Sequence, residues 1–250
     1  MAVLWQYQNG TTRYEVRSAG ASRRLYTDGV FHSQFNPRQP VSGGVWDLLF
    51  LPAFFKPSGS VRRVLVLGVG GGAVIRQIQY FLQPEQIVGI ELDPIHLRIA
   101  RQYFGVKGKN VRLVCADAVT WLRHYQGAPF DLVVDDLFSA AEGEPVRAVA
   151  ADGDWFRLLK GVLAPRGVLT MNFPSIYDIR RCGYVCSPQV KRFFASAYRF
   201  TLPLYENAIG AFLRSSSTRR TLHRNLAACR ELDIRNKSCR LRFDAKSLGA

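Results

Sequence analysis

Residues 64–78 read VLVLGVGGGAVIRQI. Val64 to Leu67 is an unbroken apolar run, the pattern of a strand buried on both faces of a parallel sheet. The turn Gly68-Val69-Gly70-Gly71-Gly72 follows, and to Phe81 the apolar residues recur at helical spacing. The order repeats downstream. Ile87–Ile90 is a second strand, ending at Glu91, with a helix from Pro94 to Phe104. Val111–Cys115 is a third, ending near Asp117, with a short helix over Val119–Tyr125. Phe130–Val134 is a fourth, ending at Asp135-Asp136; Trp155–Leu163 then reads as helix and Gly167–Asn172 as a fifth strand. Such alternation predicts an α/β protein with a doubly wound, Rossmann-like sheet.

Upstream the period changes to two. Thr12–Arg17, Arg23–Tyr26 and Val30–Phe35 alternate and are separated by Ser18-Ala19-Gly20 and Thr27-Asp28-Gly29 turns. These predict a small N-terminal antiparallel β-hairpin domain over residues 1–37. A helix is expected from Val45 to Phe55. Beyond the fifth strand, a helix over Pro188–Ala197 leads to two apolar runs, Phe200–Leu204 and Ala208–Leu213, expected to pair. The nucleoside-binding domain is thus assigned to residues 38–215. Residues 216–250 form a basic C-terminal tail, expected to be solvated and dispensable for folding.

In open α/β sheets ligands bind at the carboxyl ends of the strands. Gly68, Gly70 and Gly72 let a ligand approach the backbone. A carboxylate at Glu91 can accept two ribose hydroxyl protons, and Asp117 can accept from an adenine amino group or cap the helix after it. Asp135 and Asp136 follow an apolar strand. Gly68-x-Gly70-x-x-Ala73 also fits a dinucleotide fingerprint, so an NAD-dependent oxidoreductase is a rival.

Four segments, 64–78 together with VGIELDP (88–94), VRLVCADAVTWL (111–122) and FDLVVDDLFS (130–139), resemble the spermidine synthase (polyamine aminopropyltransferase) branch of the class I methyltransferase fold. TRYEVRSAGASRRLYTDGVFHS (12–33), LAPRGVLTMNF (163–173) and PLYENAIGAFLRS (203–215) extend the resemblance to roughly residues 12–214. The resemblance implies a transferase of polyamine biosynthesis. Its cofactor would be S-adenosylmethionine or decarboxylated S-adenosylmethionine, lined by Gly68, Gly70 and Gly72, with Glu91 on the ribose, Asp117 on the adenine side and Asp136 as catalytic aspartate. Asp135, His32 and Ser139 are the candidate acceptor contacts. The family usually carries an acid where Gly71 stands, a second aspartate where Ser139 stands and a glutamine where His32 stands. The nucleoside end therefore matches and the diamine end does not, which leaves aminopropyl and methyl transfer both open.

Charge bears on the acceptor. The chain of 250 residues carries 34 Lys/Arg against 19 Asp/Glu, a net +15. From Arg214 onward there are ten Lys/Arg and three Asp/Glu, so +7 lies in the last 37 residues. A positive field favours polyanions and repels polycations. Contact with a polyanion through the tail, by a nucleic-acid-binding protein without catalysis, is the reading from a different class. A homodimer is a further expectation. No apolar run reaches the length of a membrane span, and no basic start with a long apolar segment marks a secretory signal. The five cysteines are irregularly spaced, which fits a reducing cytoplasm and no metal site. His96, His124 and His223 are read as structural or surface residues.

Overall fold

The computed structural model describes residues 1–141 and 144–249, with the side chains of Ala140, Ala141 and Glu144 outside the description. Four strands open the chain: β1 (Ala2–Asn9), β2 (Thr12–Ala19), β3 (Ser22–Thr27) and β4 (Val30–Phe35). They form an antiparallel sheet in sequence order. α1 (Val45–Phe50) continues as a 3-10 turn over Leu51–Phe55, where Pro52 removes a backbone donor.

The alternating region follows: β5 (Arg63–Leu67), α2 (Ala73–Phe81), β6 (Gln86–Glu91), α3 (Pro94–Gln102), β7 (Val111–Cys115), α4 (Ala118–Arg123) and β8 (Phe130–Asp135). A hairpin of β9 (Phe138–Ala141) and β10 (Glu144–Arg147) interrupts it before α5 (Gly153–Val162) and β11 (Leu163–Phe173). Three short helices, α6 (Ile176–Arg180), α7 (Gly183–Cys186) and α8 (Pro188–Lys191), lead to β12 (Ser196–Thr201) and β13 (Ala208–Leu213). The chain ends with α9 (Arg219–Leu226) and β14 (Asp244–Ser247).

The central sheet runs β14-β12-β13-β11-β8-β5-β6-β7. It is parallel from β11 to β7 and antiparallel at β13, β12 and β14. Side chains of β5 alternate between two cores: Val64 and Val66 join one, Leu65 and Leu67 the other. Burial on both faces is why the run carries no polar residue. Asp93, Asp117 and Asp152 each accept a backbone N–H at the start of α3, α4 and α5, fixing where those helices begin. Among the described residues no helix is long and apolar enough to cross a membrane.

Two expectations need correction. The helix foreseen over Pro188–Ala197 stops at Lys191, and Ser196–Thr201 is a strand instead. Its hydrogen bonds to β13 and β14 outweigh local helix preference. The basic tail is not a solvated extension. Leu222, Leu226, Leu232 and Leu241 are buried in the core that holds Phe54 and Phe55. Asn225 donates to the carbonyls of Phe54 and Lys56 at 2.8 and 3.0 Å, satisfying the end of the 3-10 turn. Leu222→Ala should therefore destabilise the protein by about 2–5 kcal/mol, as for other buried leucines, measured by urea unfolding. Removal of residues 216–250 should lower the unfolding midpoint further, because it uncovers Phe55 and Tyr198 and strips β12 of its outer partner.

Candidate active site

A cavity of about 660 Å³ opens at the carboxyl edge of the parallel strands, roofed by the N-terminal sheet and the start of α1. Strand order places its contributors in a row. Asp117 follows β7, Glu91 ends β6, Gly68 and Gly70 follow β5, Asp136 follows β8, and Asn172 lies near the end of β11. Neighbouring strands stand roughly 4.8 Å apart, so Glu91 and Asp136, two strands apart, lie on the order of 10 Å from each other along the edge.

Glu91 is half-buried and tied to the glycine turn. Its Oε2 accepts from the N–H groups of Val69 and Gly70 at 3.0 and 2.9 Å, and its Oε1 accepts from that of Asp93 at 3.0 Å. Asp93 accepts from the Tyr14 hydroxyl at 2.7 Å; burial, reinforced by that bond, pushes the phenol's pKa up. His96 sits beside both carboxylates, with ring nitrogens 3.9 Å from each, and hydrogen-bonds the Thr27 hydroxyl at 2.8 Å. His96 thus belongs to the cavity wall, although its pairing is structural. Asp117 is exposed and caps α4 through the Thr120 N–H at 2.7 Å; bonding to Thr120 holds its carboxyl below the usual range. Asp117 also lines the cavity, so of the two roles read from the sequence the capping one is seen directly.

Asp136 lines the cavity, and Asn172 donates to its Oδ1 at 2.8 Å. Asn207 in turn donates to the Asn172 side-chain oxygen at 3.1 Å. Burial lifts the Asp136 carboxyl to about 6; the Asn172 bond opposes that shift, and the neighbouring Asp135 adds to it. Asp135 does not reach the cavity. It is fully buried and accepts from Arg147 Nη2 at 2.8 Å and Trp155 Nε1 at 2.7 Å. The strand period of two sends adjacent residues to opposite faces, so the acceptor contact expected of Asp135 is replaced by a structural ion pair.

His32 and Ser139 both line the cavity. Burial and the adjacent His96 ring, 5.2 Å away, lower the His32 pKa to about 4, so the imidazole is neutral near pH 7. Gly72 does not line it: a β-carbon there would lie 2.4 Å from Val106, and its φ of +79° starts α2. Nor is Gly71 an open position. Its β-carbon would lie 2.7 Å from the Phe104 ring and 2.9 Å from Ser33. The missing acid at Gly71 is thus a packing requirement in this chain. Two further acids close to Ser139 in sequence could serve a diamine, but Glu142 and the side chain of Glu144 fall outside the described residues.

Sequence reading missed the residues around Asp136. Asn172 ends an apolar run and carries no motif, while Asn207 and Tyr205 sit in a connecting segment. Phe31 and Trp46 meet edge to face at 4.9 Å only after β4 folds over α1. A buried carboxylate holds this wall. Asp47, fully buried, accepts from the Ser42 hydroxyl at 3.1 Å, the Gly43 N–H at 2.6 Å and the Gln77 amide.

A sequence model of the spermine/spermidine synthase domain matches residues 47–223. The chain belongs to that family. Polyamine aminopropyltransferase 2 of Caldanaerobacter subterraneus is 25% identical over 170 residues, covering 66% of this chain and 55% of that protein. The polyamine aminopropyltransferase of Aeropyrum pernix is 23% identical over 222 residues, covering 82% of this chain and 68% of that protein. The chain thus spans about half the length of the first relative and about two thirds of the second. A crystal structure of a spermidine synthase with the transition state analogue AdoDATO superposes with a TM-score of 0.71 at 15% identity, covering 95% of this chain and 83% of that one. That likeness establishes the shared fold.

Asn172 is the only described side chain bonded to Asp136. Asn172→Ala removes the bond that favours its charged form, so the Asp136 pKa should rise above 6. Carboxyl-carbon NMR titration of labelled protein should record that rise, with the fold unchanged by circular dichroism.

Proposed function

We propose that this chain transfers an aminopropyl group from decarboxylated S-adenosylmethionine to an amine, with Asp136 as the catalytic aspartate. One observation carries this reading. The cavity holds four carboxylates, Glu91, Asp93, Asp117 and Asp136, and no Lys or Arg among its described lining residues, in a chain of net charge +15. Charge at the site is opposite to charge on the chain, and it suits a cationic ligand.

The residues present fit the nucleoside. Glu91 and Asp117 both line the cavity; Glu91 Oε1, which accepts one N–H, retains acceptor capacity for a ribose hydroxyl, and Asp117 stands where an adenine amino group could be received. The glycine turn after β5 has little left for an anion: the N–H of Gly68 bonds Ile90, those of Val69 and Gly70 bond Glu91, and that of Gly72 bonds Val69. A pyrophosphate would meet the Gly68, Val69 and Gly70 amides already spent and acidic neighbours beside them, which weighs against NAD. The carboxylate of ordinary S-adenosylmethionine meets the same difficulty, and this favours the decarboxylated form over methyl transfer. The relatives named as polyamine aminopropyltransferases support the same choice.

The sulfonium supplies the electrophilic carbon: the amine lone pair forms the new C–N bond and the C–S electron pair leaves on sulfur as the neutral thioether methylthioadenosine. Asp136 holds the incoming ammonium and accepts the proton that the nitrogen loses. Asn172 fixes the carboxylate plane. The glycine turn and Glu91 hold the nucleoside in register with Asp136, so much of the rate gain comes from positioning, worth up to roughly 7–11 kcal/mol in well-oriented systems.

Methylthioadenosine should bind by calorimetry and NAD should not; tight NAD binding without methylthioadenosine binding would overturn the reading. Glu91→Gln should weaken methylthioadenosine by about 1.5–3 kcal/mol, the worth of hydrogen bonds to a charged group.

Asp136→Asn should keep that affinity and lose methylthioadenosine release from the decarboxylated cofactor. In the native protein kcat/KM should climb with pH until the Asp136 carboxyl is ionised, near pH 6, with that limb displaced upward in Asn172→Ala.

A further inference from the structure

The row of strand ends continues past Asp136, and what stands there bears on the acceptor. Next along the edge come Asn172 on β11, then Asn207 and Tyr205 before β13. The two asparagines bond to each other and to Asp136, and neither carries charge. Above them the roof is aromatic. Phe31 and Trp46 pack edge to face, and a β-carbon on Gly44 would lie 3.4 Å from the Tyr205 hydroxyl and 3.6 Å from the Trp46 ring. Trp46 and Tyr205 therefore close on one point, where roof and far wall meet. On the hairpin side stand Phe138, Ser139 and Pro145, again without charge. The Arg24 guanidinium lies 5.7 Å from the Phe31 ring and Tyr26 stacks on that ring at 5.1 Å. The charge beside this roof is thus positive. Glu91, Asp93 and Asp117 lie on the opposite side of the glycine turn, three or four strands from Asn172.

Resting on the aminopropyl-transfer reading, we propose that the acceptor is a monoamine with an apolar or aromatic body, and that Phe31, Trp46 and Tyr205 select it over diamines. One ammonium finds one carboxylate, Asp136. A second ammonium a few carbons further on would be taken out of water with no carboxylate among the described residues lining that part of the cavity, which is strongly unfavourable. A hydrocarbon or phenyl group in the same place covers aromatic surface instead and gains from leaving water.

The experiment uses the native protein in two stages. Calorimetry with methylthioadenosine first tests the nucleoside reading by itself; absence of binding removes that reading and this proposal together. With methylthioadenosine bound, hexylamine and 2-phenylethylamine are then titrated against 1,4-diaminobutane and 1,6-diaminohexane, and the same amines are assayed with decarboxylated S-adenosylmethionine. Both monoamines should bind at least about tenfold more tightly than 1,6-diaminohexane and lead it in kcat/KM by a similar factor. Trp46→Ala should lower 2-phenylethylamine affinity about tenfold while the methylthioadenosine Kd holds. Ser139→Asp should narrow the gap by giving a second ammonium a partner. Methylthioadenosine binding together with equal or tighter binding of either diamine overturns the proposal and leaves the nucleoside reading standing. Loss of that diamine binding in Glu142→Gln or Glu144→Gln would then identify the carboxylate responsible.

Discussion

A side chain on Gly68 would put its β-carbon 2.2 Å from the Asp136 carbonyl oxygen. That approach is possible only without a β-carbon, and it ties the two halves of the site together. The Asp136 N–H donates to Leu67 at 2.9 Å, so the exits of β5 and β8 are locked side by side. With Gly68 at φ +82° the chain turns at once and presents the Val69 and Gly70 amides to Glu91. One backbone crossing therefore sets the distance between the nucleoside end and the Asp136 carboxylate. Any residue other than glycine would spread the strand ends and loosen every contact built on them.

The neighbouring Asp135 performs the complementary task from the other face. Its partner Arg147 belongs to β10, and the same guanidinium donates to the Asn172 carbonyl at 2.6 Å. The buried ion pair thereby pins the hairpin that carries Phe138 and Ser139 over the cavity, and it fixes the strand end that bears Asn172. Breaking a buried pair by removing one member leaves a charge without a partner, at a cost of about 3–5 kcal/mol. Adjacent aspartates that look alike in sequence thus divide the work: one holds the wall, and the other faces the cavity.

The parallel strands, the glycine turn and the cavity positions of Glu91, Asp117 and Asp136 were legible because each lies in a run whose period is unambiguous. Asn172 was not, since a polar residue closing a strand looks the same whether it meets water or a carboxylate. The fate of Gly71 was hidden for a different reason: Phe104 and Ser33, which occupy its space, are distant in sequence. The last 35 residues misled through composition. Their arginines dominate the reading, yet Leu222 and Leu226 stand four apart on the inner face of α9, with Leu232 and Leu241 beyond them in the same core. A basic amphipathic helix has the same pattern whether its apolar stripe covers a core or lies open, and only the apolar Phe54–Phe55 turn that it packs against decides between them.

Net charge was the other misleading quantity, because the sign of a whole chain says little about a concave site within it. At physiological ionic strength the field of an exposed arginine fades over about 8 Å, while carboxylates in a cleft with low-dielectric walls act over their own interior almost unscreened. The outer field and the inner field then discriminate separately. Outside, repulsion grows with the number of positive charges on an approaching amine. Inside, past the glycine turn, attraction is limited to what Asp136 offers. On the proposed reading, a singly charged amine is weakly repelled on approach and matched at the carboxylate, whereas a polycation is repelled more strongly and has one of its charges matched on arrival. The basic exterior and the aromatic, uncharged far wall therefore act in the same direction, and both follow from residues that a count of charges alone would set against each other.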